Sequence, residues 1–269
     1  MNFDDYKAID AINASAICEG LKSMLHMRHA MTGGGRADTA AMKFGRQIHA
    51  AVLEPERFFH ELAIWKDGRR YGKAWDAFCD EHPNADLIVT PDELDTLMAM
   101  SKALWLRRDV SGLLEGCEFE QTYQWEDARY GAAKSRIDAA NLSTGAGYII
   151  DYKSCSDLAG FMRNAYNLHY HIRMGWYAHG LDVLHGKGLP NVYLIAQESA
   201  PPYDCGLINI PHTILAPAVD EAIEVAECWA VCSRMNTFPG VMPEMVEFEL
   251  PAWATNVNAE IDMEGAEEL

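Results

Sequence analysis

The chain has 269 residues, 49% of them apolar, and a formal net charge of -18. That much apolar material excludes a disordered chain and suits one sizeable domain with its own core. The charge excludes a protein that coats nucleic acid over a broad surface, and leaves only a local groove for such a partner.

In chain order, residues 15–30 are expected to form an amphipathic helix. Ser15 would be its N-cap, and Ile17, Leu21, Met24, Leu25 and Met27 its apolar face. Thr32 to Arg36, with three consecutive glycines, reads as a loop. A second helix is expected over 43–53, ended by Glu54-Pro55. A third covers 91–107, with Thr90 as cap and Pro91 in its first turn.

The pattern then becomes strand-like. Residues 118–126 alternate, 127–130 can turn the chain, 131–140 give a second strand and 147–153 a third. Asp157 can cap a long helical stretch, with a break, that runs to about His185. Strands follow at 192–198 and 205–210 around Pro201-Pro202, then a helix over 217–235. This order predicts an α/β fold with a central mixed sheet flanked by helices. It forms one domain over 1–243, with a helical part at 1–110 and a sheet core at 115–235. From Glu244 onward there is no Lys or Arg, so 244–269 reads as a solvated acidic tail. Such a tail could also keep DNA off the outer surface.

The seven cysteines (18, 79, 117, 155, 205, 228 and 232) include no CxxC pair. They read as free thiols of a reducing cytoplasm, not as a zinc or iron–sulfur site. No signal peptide and no membrane-spanning stretch are expected.

The chemistry concentrates in Lys134-Ser135-Arg136-Ile137-Asp138 and, thirteen residues on, Asp151-Tyr152-Lys153. On a strand, Asp151 and Lys153 leave the same face, about 7 Å apart by strand rise, and Ile150 and Tyr152 the other. A carboxylate and an ammonium in an apolar strand need partners. A hydrated Mg²⁺ is a suitable one, because it takes one or two carboxylates with phosphate and water. Asp138 would supply the second carboxylate from a neighbouring strand, about 4.8 Å away. Lys153 would orient water or stabilise charge. Asp-x-Lys alone is a common surface pair, so other features must agree. His49 lies on a helix one turn after Gly45. Arg173 and Tyr177, spaced i,i+4, share a helix face that can hold a phosphate. Glu120 is a further candidate carboxylate for a metal.

Together these pieces resemble the PD-(D/E)XK nuclease superfamily with its restriction-endonuclease-like core. More closely, they resemble the nuclease domain of the exonuclease VIII (RecE) family, including phage-encoded relatives. The resemblance spans roughly 10–215. It rests on Ile12-Asn13-Ala14-Ser15, the run from Phe44 through Gly45 and His49 to Leu53-Glu54-Pro55-Glu56, Arg136-Ile137-Asp138, Ile150-Asp151-Tyr152-Lys153-Ser154 and Tyr170-His171-Ile172-Arg173…Tyr177. It implies Mg²⁺, with Mn²⁺ as a substitute, bound by His49, Asp138, Asp151 and the Tyr152 carbonyl, with Lys153 as the catalytic lysine. Arg136, Arg173, Tyr177 and Ser15 would contact DNA. The implied activity is digestion of one strand of duplex DNA from an end, 5′ to 3′, in a bacterial cytoplasm. The remaining 3′ strand would pass to a RecT-like annealing protein. The implied assembly is a homo-oligomeric ring, such as a tetramer. Arg173 departs from the family, which usually has Gln there; Arg only donates hydrogen bonds and carries charge. The alternatives are an endonuclease or structure-specific nuclease of the same fold, or an inactive DNA-end-binding module.

Overall fold

Side-chain caps start α-helices at Asn13, Ser23, Thr39 and Thr90 in the N-terminal half. The computed structural model describes residues 3–33 and 39–250. After α1 (Phe3–Ala8), the single helix expected over 15–30 is two, α2 (Ala14–Gly20) and α3 (Met24–Met31). Asn13, not Ser15, caps α2 by accepting from Ala16 N, and Ser23 starts α3 by accepting from His26 N. A side chain that can satisfy the free N–H groups of a first turn favours a new start over continuation. The loop expected over Thr32 to Arg36 lies largely in 34–38, outside the described residues.

α4 (Ala40–Leu53) ends at Glu54, as expected. Pro55 then opens α5 (Pro55–Glu61) at once, because proline fits a first turn while disfavouring helix in the residue before it. A short parallel pair, β1 (Ala63–Ile64) and β2 (Ile88–Val89), and α6 (Lys73–Glu81) between them escaped the sequence reading. Two-residue strands are too short for a periodic signal. α7 (Pro91–Trp105) has its Thr90 cap, completed by Glu93 into a capping box. α8 (Arg108–Leu114) leads into the sheet.

The sheet has five strands in chain order: β3 (Glu118–Asp127), β4 (Gly131–Asn141), β5 (Tyr148–Cys155), β6 (Asn191–Glu198) and β7 (Cys205–Ile210). All neighbours are antiparallel except β5 and β6, which are parallel. The crossover between those two is α9 (Phe161–Asn167) and α10 (Tyr170–His185), broken at His169 with φ 55°. Asp157 does not cap a helix directly. It accepts from Ala159 N and Gly160 N at 3.0 Å, in the turn ahead of α9. α11 (His212–Met235) begins before Pro217, which lies inside it. As the sixth residue of the helix Pro217 forfeits the bond to Thr213 O, and buried Leu215 and Ala218 hold that turn by packing.

One face of the sheet is covered by α2, α3, α10 and α11 and the other by α4, α5, α7 and α8, with an apolar core on each side. α10 and α11 approach so closely that a Cβ on Gly175 would lie 2.8–2.9 Å from the Ala218 and Val219 backbone. Backbone cannot swing aside as a side chain can. Gly175→Ala is therefore expected to cost about 1–3 kcal/mol of stability. An unchanged urea midpoint would show that the helices can part freely.

The acidic segment is described only to residue 250. Residues 244–250 are exposed and form neither helix nor strand; the rest of the tail lies outside the described residues. Among the described residues, no helix is long and apolar enough to cross a membrane. All seven cysteines are unpaired.

Candidate active site

Two irregularities in adjacent strands create the site. Residues two apart on a strand share a face, yet Ile137 packs in one core and Ala139 in the other. The strand therefore changes phase at Asp138. Directly across on β3, between the pairs Phe119↔Ala139 and Gln121↔Ile137, sits Glu120 with φ 53°. A positive φ is costly for a residue with a Cβ, and such strain concentrates at functional positions.

The third strand then diverges. β4 and β5 pair at only three positions, ending at Ala139↔Ile150. Past that point Ile12 bridges to Ala133 of β4 in the gap, exchanging hydrogen bonds with Ala132 O and Lys134 N. Tyr152 N, left without a strand partner, donates to Asp138 Oδ2 at 2.8 Å. The Tyr152 side chain anchors this stretch. Its buried hydroxyl donates to Gln197 Oε1 at 2.8 Å, and Gln197 Nε2 donates to Met100 O of α7 at 2.9 Å.

His49 of α4 completes the cluster. Its Nδ1 is 3.5 Å from Asp138 Oδ2, and its ring stands edge-on to the Tyr152 ring at 5.1 Å. One ligand atom each from His49, Glu120 and Asp138 lie within 4.8 Å of one another. Burial lowers the His49 pKa, which leaves a neutral imidazole able to donate a lone pair. Burial, with the Asp138 charge beside it, pushes Glu120 up to about 7 against the opposing pull of Arg136. Two half-buried carboxylates facing a neutral imidazole form a converging set of lone-pair donors. A divalent cation fits it. Two oxygens and one imidazole nitrogen suit the Mg²⁺ and Mn²⁺ class, with the imidazole shifting preference toward the transition metal.

Asp151 and Lys153 emerge on one face as the spacing predicts, and they form an ion pair in which Asp151 is buried and Lys153 half-buried. Lys153 Nζ also lies 4.0 Å from Asp138 Oδ2 and donates to the Tyr152 carbonyl at 3.1 Å. The Tyr170 ring lies under it at 5.5 Å. Burial works against the lysine charge, and the Asp151 and Asp138 carboxylates overcome it, so its pKa is raised and it stays an ammonium. Asp151 is thus engaged with Lys153, and the three-residue cluster contains Glu120 in its place. The Tyr152 carbonyl, expected as a metal ligand, is taken up by Lys153.

The residues expected to contact DNA are distributed differently. Arg136 Nε holds Glu120 Oε2 at 2.7 Å, beside the cluster. Arg173 Nη1 donates to Ser15 Oγ at 3.2 Å, and the Tyr177 phenol is one of the groups acting on the guanidinium. Tyr177 is only 7% exposed, and burial keeps its phenol protonated. The helix face expected to hold a phosphate thus carries Arg173 with Tyr177 buried beside it. Ser15 accepts from Arg173 and does not cap a helix. Sequence reasoning underrated Glu120 and missed Tyr170 and the Ile12 bridge. Glu120 carries no local signal beyond its type, because its importance comes from the residue it faces.

The fold has a solved counterpart. Over 97% of this chain and 99% of the other, it superposes on a "Putative exonuclease" from Eubacterium rectale, with TM-score 0.56 and 10% identity. A phage related exonuclease from Haemophilus somnus 129PT is matched over 84% of this chain and 96% of its own, with TM-score 0.34 and 12% identity. No curated protein matches the chain significantly. The family described as PDDEXK-like domain of unknown function (DUF3799) matches residues 6–244. The chain therefore belongs to that family and has the PD-(D/E)XK type of nuclease fold.

Proposed function

We propose that this protein is a Mg²⁺-dependent exonuclease that digests double-stranded DNA from an end, with Mn²⁺ able to replace Mg²⁺. The observation that carries the reading is the convergence of His49, Glu120 and Asp138 on one point, with the Lys153–Asp151 pair alongside. When bound, the ion supplies positive charge to a phosphodiester and acidifies water. His49, Glu120 and Asp138 would hold it. Lys153, fixed by Asp151 and Tyr170, presents an ammonium that orients the attacking water and offsets charge on the phosphate oxygens. Arg136 and Arg173 flank the site with fixed positive charge. The resemblance to the exonuclease VIII family extends the proposal to 5′-to-3′ polarity, a ring-shaped homo-oligomer and a single-strand annealing partner in a bacterial or phage setting.

The test uses linear and covalently closed duplexes of the same sequence, with Mg²⁺, with Mn²⁺ and with EDTA. Digestion of the linear form in either metal, with EDTA arresting it and the closed circle intact, is the expected result. Loss of the closed circle would convert the assignment to an endonuclease. Binding to ends with no digestion in any metal would make the protein an end-binding module.

A further inference from the structure

In a chain of net charge -18, residues 66–73 (Lys66-Asp67-Gly68-Arg69-Arg70-Tyr71-Gly72-Lys73) carry four cations and one acid. No other window of eight residues holds four. We propose that this loop is a second nucleic-acid contact, in which Lys66, Arg69 and Lys73 bind phosphates of the duplex whose end occupies the metal site. The proposal rests on the nuclease reading and adds to it the surface that holds the substrate's backbone.

The loop is built to present those three side chains. It follows β1 and precedes α6. Gly68 and Gly72 have φ +73° and +87°, a conformation that strains any residue with a Cβ. From below, Trp65 Nε1 donates to Arg69 O at 3.2 Å. The Trp65 ring packs against Trp75 and Phe78, with centroids 5.3 and 5.1 Å away. Arg70 is the loop's anchor. It is ion-paired to Glu93 in the first turn of α7, and its guanidinium lies 5.9 Å from the Trp75 ring centre. A loop held this way loses little entropy when it binds.

Lys66, Arg69 and Lys73 are exposed and form no ion pair with any described residue. Arg69 rests over the ring of Tyr71, which is 68% exposed. Pairing one cation while leaving three to solvent separates the loop's fastening from its free charge. A solvated turn needs neither that concentration nor that aromatic base.

Its place suits a substrate shared with the metal site. Among charged groups Arg70 acts most strongly on Lys43, in the N-terminal part of α4, which packs against α7 where Arg70 is fastened. His49 lies six residues further along that helix, about 9 Å by helix rise. A strand of duplex carries one phosphate per about 3.4 Å. A duplex with its end at His49 thus has phosphates level with the loop within a few base pairs. The acidic remainder of the surface repels DNA elsewhere and favours this approach.

The test measures full-chain binding to a labelled linear duplex in EDTA over a range of NaCl. The variants are Lys66→Ala/Arg69→Ala/Lys73→Ala and, as an equal change of net charge, Lys102→Ala/Arg163→Ala/Lys187→Ala at exposed positions elsewhere. Arg70 is kept because it seats the loop. Each lost phosphate contact lowers the slope of log K against log salt by about 0.9. The loop variant should therefore lose about 2 to 3 from the slope and bind about tenfold or more weakly at 0.1 M salt. The control variant should keep most of both. An unchanged slope in the loop variant, or an equal drop in the control, overturns the assignment. Digestion by the unmodified chain is read in parallel with Mg²⁺. If it digests while the slope is unchanged, only the loop proposal falls; if it never digests, the nuclease reading falls.

Discussion

Replacing Asp138 by Asn is expected to reduce DNA digestion by about 10³-fold or more. Asp138 Oδ2 is where the separate parts of the site meet. It accepts from Tyr152 N, faces His49 Nδ1 at 3.5 Å and Lys153 Nζ at 4.0 Å, and its residue shares a donor cluster with Glu120. Asn keeps the shape and one carbonyl oxygen but removes the charge. A bound divalent ion is worth several kcal/mol of charge stabilisation to such a reaction, and that is the amount at stake. Loss of a ligand should also weaken Mn²⁺ binding in titration calorimetry, a readout independent of catalysis. Near-normal digestion together with near-normal Mn²⁺ affinity would remove Asp138 from the metal site.

Lys153→Ala should lower kcat by about 10² to 10³, the usual loss of one preorganised electrostatic group. The structure adds a complication that spacing did not reveal. Lys153 is the partner of Asp151, which is 2% exposed. Removing Lys153 leaves the Asp151 charge buried and unpaired, which typically costs 3–5 kcal/mol; removing Asp151 leaves Lys153 with only the more distant Asp138, at 4.0 Å. Asp151→Ala is therefore expected to lower stability as well as activity, because it removes the nearer partner of the Lys153 ammonium. Asp151→Asn, which can still accept a hydrogen bond from the ammonium, is the milder substitution. A kcat loss in Lys153→Ala with KM little changed marks a group acting mainly in the transition state. A loss confined to thermal stability, with full kcat in the surviving folded enzyme, would make Lys153 purely structural.

These expectations divide the site by where its information lies. Asp151 and Lys153 were legible because a strand has a period of two, so residues two apart must share a face. His49 was legible through its helical spacing from Gly45, and Asp138 through its position on a neighbouring strand. Glu120 was ranked only as a further candidate. Nothing near it in sequence says that its backbone is left-handed or that Asp138 lies across from it. Tyr177 was placed on the correct helix and the correct face, but its depth was not legible. Periodicity gives a side chain's direction and not what covers it.

The sequence by itself determined the five strands of the main sheet in their order, the mixed character of that sheet, the Pro91 start of α7 and the ends of α4, α10 and α11. These follow from local rules of period, capping and turn chemistry, which act over a few residues. Only the tertiary structure decided that β4 changes phase at Asp138 and that β5 splays away from it. It also put Glu120, rather than Asp151, in the cluster with His49 and Asp138. The reason is that register breaks and divergence between strands are settled by packing on both faces of the sheet at once. The donors they bring together are some seventy residues or more apart in the chain for His49, and eighteen for Glu120 and Asp138.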